Sequence, residues 1–203
     1  MLREDTLTSE AVHVLVFEGF ADWEPAHALA ELRRWGKRSV VVVGFDADPV
    51  TSMGGLRVVP DRKLRDMRRS EVEILILPGG DLWESTYPQA ELNRVLTDLI
   101  SADVSVAAIC AGTLAVARAG LLDDRRHTSN RPGYIAEHVP RYSGVALYEA
   151  VPAVNDHGVI TASGLAPVEF AREIFKQLRI FSAADEEIWF DMFKHGRLPQ
   201  SAV

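Results

Sequence analysis

Cys110 is the residue of this chain whose type and position best suit chemistry. It follows an apolar run, residues 104–109, that predicts a buried strand, and it precedes small residues and good helix formers over 111–119. In open α/β sheets, ligands bind beyond the carboxyl ends of the strands, and a helix amino terminus favours a thiolate over a thiol. The position therefore predicts a nucleophilic thiolate. The alternative is a cysteine that only fills space in the core.

Two other predicted strand ends supply partners for this sulfur. Gly80 follows a short apolar strand, and its N–H together with that of Ala111 could hold an oxyanion. Glu24 falls in the first turn of a helix that is predicted over 23–35 and capped by Asp22. A carboxyl group facing a thiolate is expected to be protonated, because two adjacent negative charges raise one pKa, and it can then donate to sulfur. Both residues could instead have purely structural roles. Gly80 could simply form a turn, and Glu24 could simply complement the helix dipole.

The rest of the sequence alternates apolar runs of strand length with segments of helical period. This pattern is typical of an α/β domain, here one domain over 1–203, with a mostly parallel sheet and helices on both faces. Three further predictions are a solvated surface helix over 62–69, a strand over 126–129, and a strand pair at 148–154 and 159–162. Because parallel strands end at one edge of a sheet, the candidate residues are expected to converge there.

Composition narrows the classes of function. The formal net charge is −7, which argues against nucleic acid or an anionic membrane as partner, because phosphate binding needs clustered positive charge. The single cysteine, Cys110, excludes an internal disulfide and a metal site built from several thiolates. We recognise no signal peptide and no apolar run that could span a membrane, so we expect a cytoplasmic protein. Neither a metal nor a cofactor is expected.

Four motifs occur in the order in which they stand in a known family. They are Gly19-Phe20-Ala21-Asp22-Trp23-Glu24, Leu77-Pro78-Gly79-Gly80, Ala108-Ile109-Cys110-Ala111-Gly112 and Val159-Ile160-Thr161-Ala162-Ser163-Gly164. With these motifs the sequence resembles the ThiJ/PfpI family, which includes the Parkinson-linked protein deglycase and lies within the class I glutamine amidotransferase-like superfamily. The resemblance spans nearly the whole chain and implies a flavodoxin-like three-layer sandwich.

The resemblance also implies roles for four positions. Cys110 matches the family's oxidation-prone nucleophile, and Glu24 matches the acid whose carboxyl group hydrogen-bonds that sulfur. Gly80 and Ala111 match the amides of the oxyanion hole.

A homodimer is a further implication of the resemblance. Three aromatic residues lie close in sequence to the motifs, namely Trp23, Trp83 and Tyr87. We expect them to be exposed, either on the dimer surface or as walls of the pocket.

The third partner of the thiol departs from the family pattern. Relatives of the Parkinson-linked protein have histidine where Asn130 stands here, and PfpI-type relatives have it directly after the cysteine, where Ala111 stands. His127 and Asn130 are the further candidates for this place. In a regular strand their side chains point to opposite faces, which favours an ordinary structural role for the histidine. No histidine has glutamate two residues later, so glutamine amidotransfer is not expected.

Two classes of function follow from these residues. The first is a cofactor-independent thiol enzyme acting on a small electrophile, such as a reactive carbonyl, a glyoxal adduct, an amide or a peptide, with Cys110 as nucleophile and Glu24 as proton shuttle. The alternative is an oxidative-stress protein in which Cys110 is reversibly oxidised without efficient turnover. A nucleotide-binding domain is disfavoured, because the acids Glu18 and Asp22 follow the first strand where a phosphate loop needs glycines.

Overall fold

A seven-stranded sheet lies at the centre of the computed structural model, which describes residues 10–199. The strands are β1 (Ala11–Val16), β2 (Val40–Gly44), β3 (Val50–Thr51), β4 (Arg57–Val58), β5 (Arg62–Lys63), β6 (Val72–Leu77), β7 (Ser105–Ile109), β8 (Ala153–Asp156) and β9 (Val159–Ala162). The order in the main sheet is β5-β2-β1-β6-β7-β9-β8, and β3 and β4 form a separate antiparallel ribbon. All neighbours in the main sheet are parallel except β8 and β9. The predicted mostly parallel architecture is therefore confirmed.

Helices cover both faces of this sheet. They are α1 (Ala26–Arg34), α2 (Gln89–Ile100), α3 (Gly112–Arg118), α4 (Tyr134–His138), α5 (Pro167–Leu178) and α6 (Ala183–His195). In β6, Ile74 and Ile76 pack in one apolar cluster with residues of α1, α5 and α6, whereas Leu75 and Leu77 pack in another with residues of α2 and α3. Because both faces of the strand are buried here, residues 74–77 of β6 form a continuous apolar run in the sequence.

The carboxyl ends of the central strands bring the sequence motifs together. Leu77, the last residue of β6, lies beside Ala108, and Ile109, the last residue of β7, lies beside Ala162 of β9. Gly79, Cys110 and Gly164 follow these three strand ends by one or two residues. The sheet register alone therefore places the three backbone segments together at one edge of the sheet.

Two predicted elements are wrong. The stretch 62–69 is not a surface helix: it begins with β5, which pairs with β2, and continues as short 3₁₀ turns in which Leu64 is fully buried. The stretch 126–129 is not a strand, and only His127 makes an isolated bridge there. Its backbone bonds alternate between main chain and side chains: the His127 N–H donates to the Leu147 carbonyl at 3.2 Å, whereas the Thr128 N–H donates to the Thr161 hydroxyl at 2.9 Å.

The start of α1 and the aromatic residues also differ from expectation. Asp22 does not cap α1, which begins four residues later at Ala26, and its carboxylate instead accepts a hydrogen bond from Ser52 of the ribbon at 2.7 Å. Trp83 and Tyr87 are buried, whereas Trp23 is half-exposed. Among residues 10–199, no helix is both long enough and apolar enough to cross a membrane.

Candidate active site

Cys110 occupies a strained turn between β7 and α3. Its φ is +57°, a left-handed conformation that a residue with a side chain adopts only when its surroundings impose it. Its N–H donates to the Ala162 carbonyl at 2.9 Å, and its carbonyl accepts from the Thr113 hydroxyl at 2.7 Å. These bonds fix the turn, so the partly buried sulfur is held by a rigid backbone support.

Glu24 meets this sulfur from the turn that precedes α1. The residue is 1% exposed, and its carboxylate accepts the Gly79 N–H at 2.5 Å and hydrogen-bonds the Cys110 thiol. The Ala21 N–H donates to the Gly79 carbonyl at 3.0 Å, which ties the Glu24 turn to the end of β6. The structure thus brings the predicted acid and the predicted nucleophile into contact.

Two glycines hold the acid and the thiol together from opposite strand ends. A Cβ atom added at Gly79 would lie 2.7 Å from Glu24 Oε2 and 3.0 Å from Cys110 Sγ. One added at Gly164 would lie 2.9 Å from Sγ and 3.2 Å from Glu24 Oε1. A glycine just beyond a buried strand is the sequence signal for such close approach. No larger residue fits either position without displacing the reactive pair.

Asn130 completes the surroundings of the sulfur. Its Oδ1 accepts the Gly164 N–H at 3.0 Å, and this bond fixes the amide so that Nδ2 faces Cys110 Sγ at 3.3 Å. An amide N–H can stabilise a thiolate but cannot take a proton from a thiol. Among the described residues that touch the sulfur, Glu24 is therefore the group that can accept its proton.

Burial dominates the electrostatics of the pair. Burial, and after it the negative charge of Glu24, raises the pKa of the Cys110 thiol to about 11, although the Asn130 amide and the Ala111 N–H lower it. Burial also raises the pKa of Glu24, against the opposing hydrogen bonds from Gly79 and Cys110. The lowered thiol pKa expected from the helix terminus is thus not found, because desolvation outweighs it. The pair retains a proton near neutral pH.

Of the two predicted oxyanion amides, that of Ala111 lies at the sulfur. The Ala111 N–H hydrogen-bonds Cys110 Sγ itself. Gly80 has φ +150°, and a Cβ atom there would lie 2.6 Å from the Phe17 ring and 2.9 Å from the Gly19 carbonyl oxygen. This crowding explains the glycine at position 80, and the oxyanion role of both amides stays a prediction.

The structure does not bring His127 to the thiol. The ring is fully buried, with Nδ1 2.7 Å from the Arg125 carbonyl and Nε2 2.5 Å from the Tyr142 hydroxyl. Burial lowers the pKa of this histidine, which favours the neutral ring. Both nitrogens are engaged away from Cys110, so His127 offers the sulfur no base.

Two residues beside Asn130 were not predicted from the sequence. The Tyr134 hydroxyl donates to Glu84 at 2.6 Å and is hydrogen-bonded by the Asn130 amide. Glu84 belongs to a 3₁₀ turn that follows Gly80, and Tyr134 begins the five-residue helix α4. Neither element has a clear sequence signal, because each spans little more than one helical turn and an amphipathic pattern needs several turns to be recognised.

Known proteins with named activities resemble parts of this chain. A glutathione-independent glyoxalase of Caenorhabditis elegans is 28% identical over 90 residues, which are 44% of this chain and 48% of the relative. A deglycase of Pyrococcus abyssi is 29% identical over 118 residues, which are 58% of this chain and 70% of the relative.

More extensive similarity covers nearly the whole chain. An uncharacterized protease of Bacillus subtilis (strain 168) is 36% identical over 195 residues, which are 93% of this chain and 92% of the relative. The crystal structure of a DJ-1 superfamily protein from Agrobacterium tumefaciens is 36% identical, with a TM-score of 0.85, over 93% of this chain and all of that one. The model of the DJ-1/PfpI family matches residues 10–177. The chain therefore belongs to the DJ-1/PfpI family.

Proposed function

We propose that this protein is a cofactor-independent thiol enzyme acting on small reactive carbonyl compounds of the glyoxal class. Cys110 is the nucleophile, and Glu24 takes and returns its proton. The observation that carries the proposal is the buried contact between the Glu24 carboxylate and the Cys110 thiol, held between Gly79 and Gly164.

The first chemical step balances within this pair. As Sγ bonds to a carbonyl carbon, the thiol proton passes to Glu24, and the π electrons of the carbonyl move to its oxygen. The negative charge thus leaves the carboxylate and appears on the substrate oxygen, where the Gly80 and Ala111 amides would stabilise it. Return of the proton from Glu24 to that oxygen yields a neutral hemithioacetal.

The second step uses the same carboxylate. Glu24 removes the proton from the carbon that bears sulfur and returns it to the neighbouring carbon, while the hydroxyl proton of the adduct passes to the neighbouring carbonyl oxygen. These two proton transfers isomerise the hemithioacetal to a thioester. Water then hydrolyses the thioester to a 2-hydroxy acid and frees the Cys110 thiol. The overall change adds one water to a dicarbonyl and needs no external oxidant or reductant.

The high pKa of the resting thiol supports turnover over the redox alternative. Oxidation by peroxide requires a thiolate, and a thiol with a pKa of about 11 is almost wholly protonated at neutral pH. Nucleophilic attack assisted by Glu24 does not have this requirement, because the proton leaves as the new bond forms.

The names of the relatives point to both carbonyl and peptide substrates, and the amide at position 130 favours a carbonyl substrate over a peptide. Relatives are named as a glyoxalase, as a deglycase and as a protease. Peptide hydrolysis needs a group that protonates the leaving amine, and the Asn130 amide at the sulfur is a poor acid. The isomerisation of a dicarbonyl has no leaving amine, so it needs no second acid to protonate a leaving group.

The test is consumption of methylglyoxal without glutathione, with the 2-hydroxy acid product followed by NMR. We expect turnover by the wild type, none by Cys110→Ser, and a loss of at least about 100-fold in Glu24→Gln, the usual contribution of a general base. Tyr142→Phe, which changes a hydroxyl bonded to His127, is the matched control and should keep wild-type activity. Absence of turnover of methylglyoxal and glyoxal, or full activity of Cys110→Ser, would overturn the proposal. Casein offered in parallel should not be cleaved.

A further inference from the structure

Both the oxygen and the nitrogen of the Asn130 side-chain amide are hydrogen-bonded. Its oxygen accepts the Gly164 N–H at 3.0 Å, and its nitrogen donates to Cys110 Sγ at 3.3 Å. Burial and Glu84 raise the pKa of Tyr134, whereas a hydrogen bond with the Asn130 side chain lowers it. Since the Asn130 oxygen accepts from Gly164, the nitrogen is the group turned toward the phenol. A primary amide has two N–H donors, and here one serves the sulfur and the other serves the tyrosine.

Tyr134 links this amide to a second carboxylate. Its ring is 7% exposed, and its hydroxyl donates to Glu84 Oε1 at 2.6 Å. Its own oxygen is therefore left to accept the N–H of Asn130. The sequence of bonds runs from Cys110 to Asn130, from Asn130 to Tyr134, and from Tyr134 to Glu84.

Two further charged groups, His138 and Arg131, lie near the Glu84 and Tyr134 end of this chain of bonds. His138 Nε2 is 3.8 Å from Glu84, and the Arg131 guanidinium lies 5.8 Å from the centre of the Tyr134 ring. The side chain of Glu84 is 48% exposed, so its carboxylate also contacts solvent. Burial and the adjacent Glu84 carboxylate raise the pKa of Tyr134, so the phenol keeps its proton and remains a donor to Glu84 at every working pH.

We propose that Tyr134 and Glu84 are positioning residues for Cys110, acting through the Asn130 amide. Glu84 orients the Tyr134 hydroxyl, the hydroxyl oxygen holds one N–H of Asn130, and the other N–H is thereby directed at the sulfur. Hydrogen bonds in such a chain polarise one another, and the outer negative charge strengthens Tyr134 as an acceptor. This inference rests on the proposed role of Cys110 as nucleophile and explains how the Asn130 amide is held against the sulfur while Glu24 handles the proton.

Tyr134→Phe is the direct test, with the rate of Cys110 alkylation by iodoacetamide measured against pH. The variant retains the ring and removes the hydroxyl, so the second N–H of Asn130 loses its acceptor and the amide is free to turn from the sulfur. We expect the alkylation rate at pH 8 to fall about three- to tenfold, with the titration of the thiol shifted to higher pH. With methylglyoxal, kcat should fall while KM stays constant. Tyr142→Phe is the same chemical change on a tyrosine bonded to His127, and it should leave the alkylation profile unchanged.

Glu84→Gln keeps the test decisive if Tyr134→Phe does not fold. Its amide oxygen can still accept from Tyr134 but carries no charge, so a smaller fall in the alkylation rate is expected, about twofold. A wild-type profile in either folded variant, or an equal shift in Tyr142→Phe, would overturn the positioning role. Alkylation requires no substrate, so it tests this inference even if methylglyoxal is not turned over.

Discussion

Two polar pairs involve or contact the segment 127–130: His127 with Tyr142, and Cys110 with Glu24. Burial has different consequences for the protonation of the two pairs. His127 and Tyr142 satisfy each other, and the remaining ring nitrogen of the histidine bonds a backbone carbonyl, so the pair is neutral and complete. Cys110 and Glu24 are two acids that would repel each other if both were ionised, and burial raises the pKa of both. A complete neutral pair stabilises the fold, whereas two acids competing for a proton are ready to transfer it. The histidine is therefore structural, and the carboxylate is the better candidate for catalysis.

The largest expected effect comes from loosening the second pair without altering its chemistry. In Gly164→Ala the new Cβ would lie 2.9 Å from Sγ and 3.2 Å from Glu24 Oε1, so the sulfur and the carboxylate must move apart. We expect turnover of methylglyoxal to fall about 100-fold, the usual cost of misplacing reacting groups by about 1 Å. Near-UV circular dichroism should show that the variant is folded. Wild-type turnover in a folded Gly164→Ala protein would show that the close contact is not needed.

A smaller effect is expected at Asn130, which stabilises the thiolate but takes no proton. Asn130→Ala removes the donor 3.3 Å from Sγ, so the thiol pKa should rise and the rate of alkylation at pH 8 should fall about tenfold. Asn155→Ala is the matched control. Asn155 lies on β8, and its amide donates to the Gln177 side chain at 3.0 Å instead of to the sulfur. Alkylation at the same rate in both variants would remove Asn130 from the site.

No effect on the thiol is expected at His127, where the change should appear in stability instead. His127→Phe keeps a ring of similar size but leaves the Tyr142 hydroxyl and the Arg125 carbonyl without their partner. The free energy of unfolding in urea should fall by about 2 kcal/mol, the cost of buried polar groups left unsatisfied. Alkylation of Cys110 should keep its wild-type rate and pH dependence. Loss of thiol reactivity in the folded variant would instead make His127 part of the reactive site.

Sequence reasoning located the reactive contact because that contact depends on the ends of parallel strands. The apolar runs before Gly79 and Cys110 predict buried strands, and the sheet register brings their carboxyl ends together. Glu24 could be assigned to the same edge even though the predicted helix cap at Asp22 was wrong, since only the end of the first strand had to be right.

The parts of the site that sequence reasoning missed depend on contacts between distant loops. Tyr134 and Glu84 are 50 residues apart and meet through side chains on short elements with no periodic pattern. The direction of the pKa shift of Cys110 was missed for a related reason. A helix terminus can be recognised in a sequence, but the desolvation that outweighs it depends on how closely Gly79 and Gly164 pack against the sulfur.

The most direct test of the coupled acid pair is a titration of the Cys110 thiolate by its ultraviolet absorbance, in the wild type and in Glu24→Gln. The wild-type thiol should titrate with a pKa of about 11. In Glu24→Gln the pKa should fall, because the opposing carboxylate charge is gone, so the variant should react faster with iodoacetamide at pH 8 while losing its turnover. A wild-type pKa at or below the ordinary value of about 8.5, unchanged by Glu24→Gln, would contradict the account.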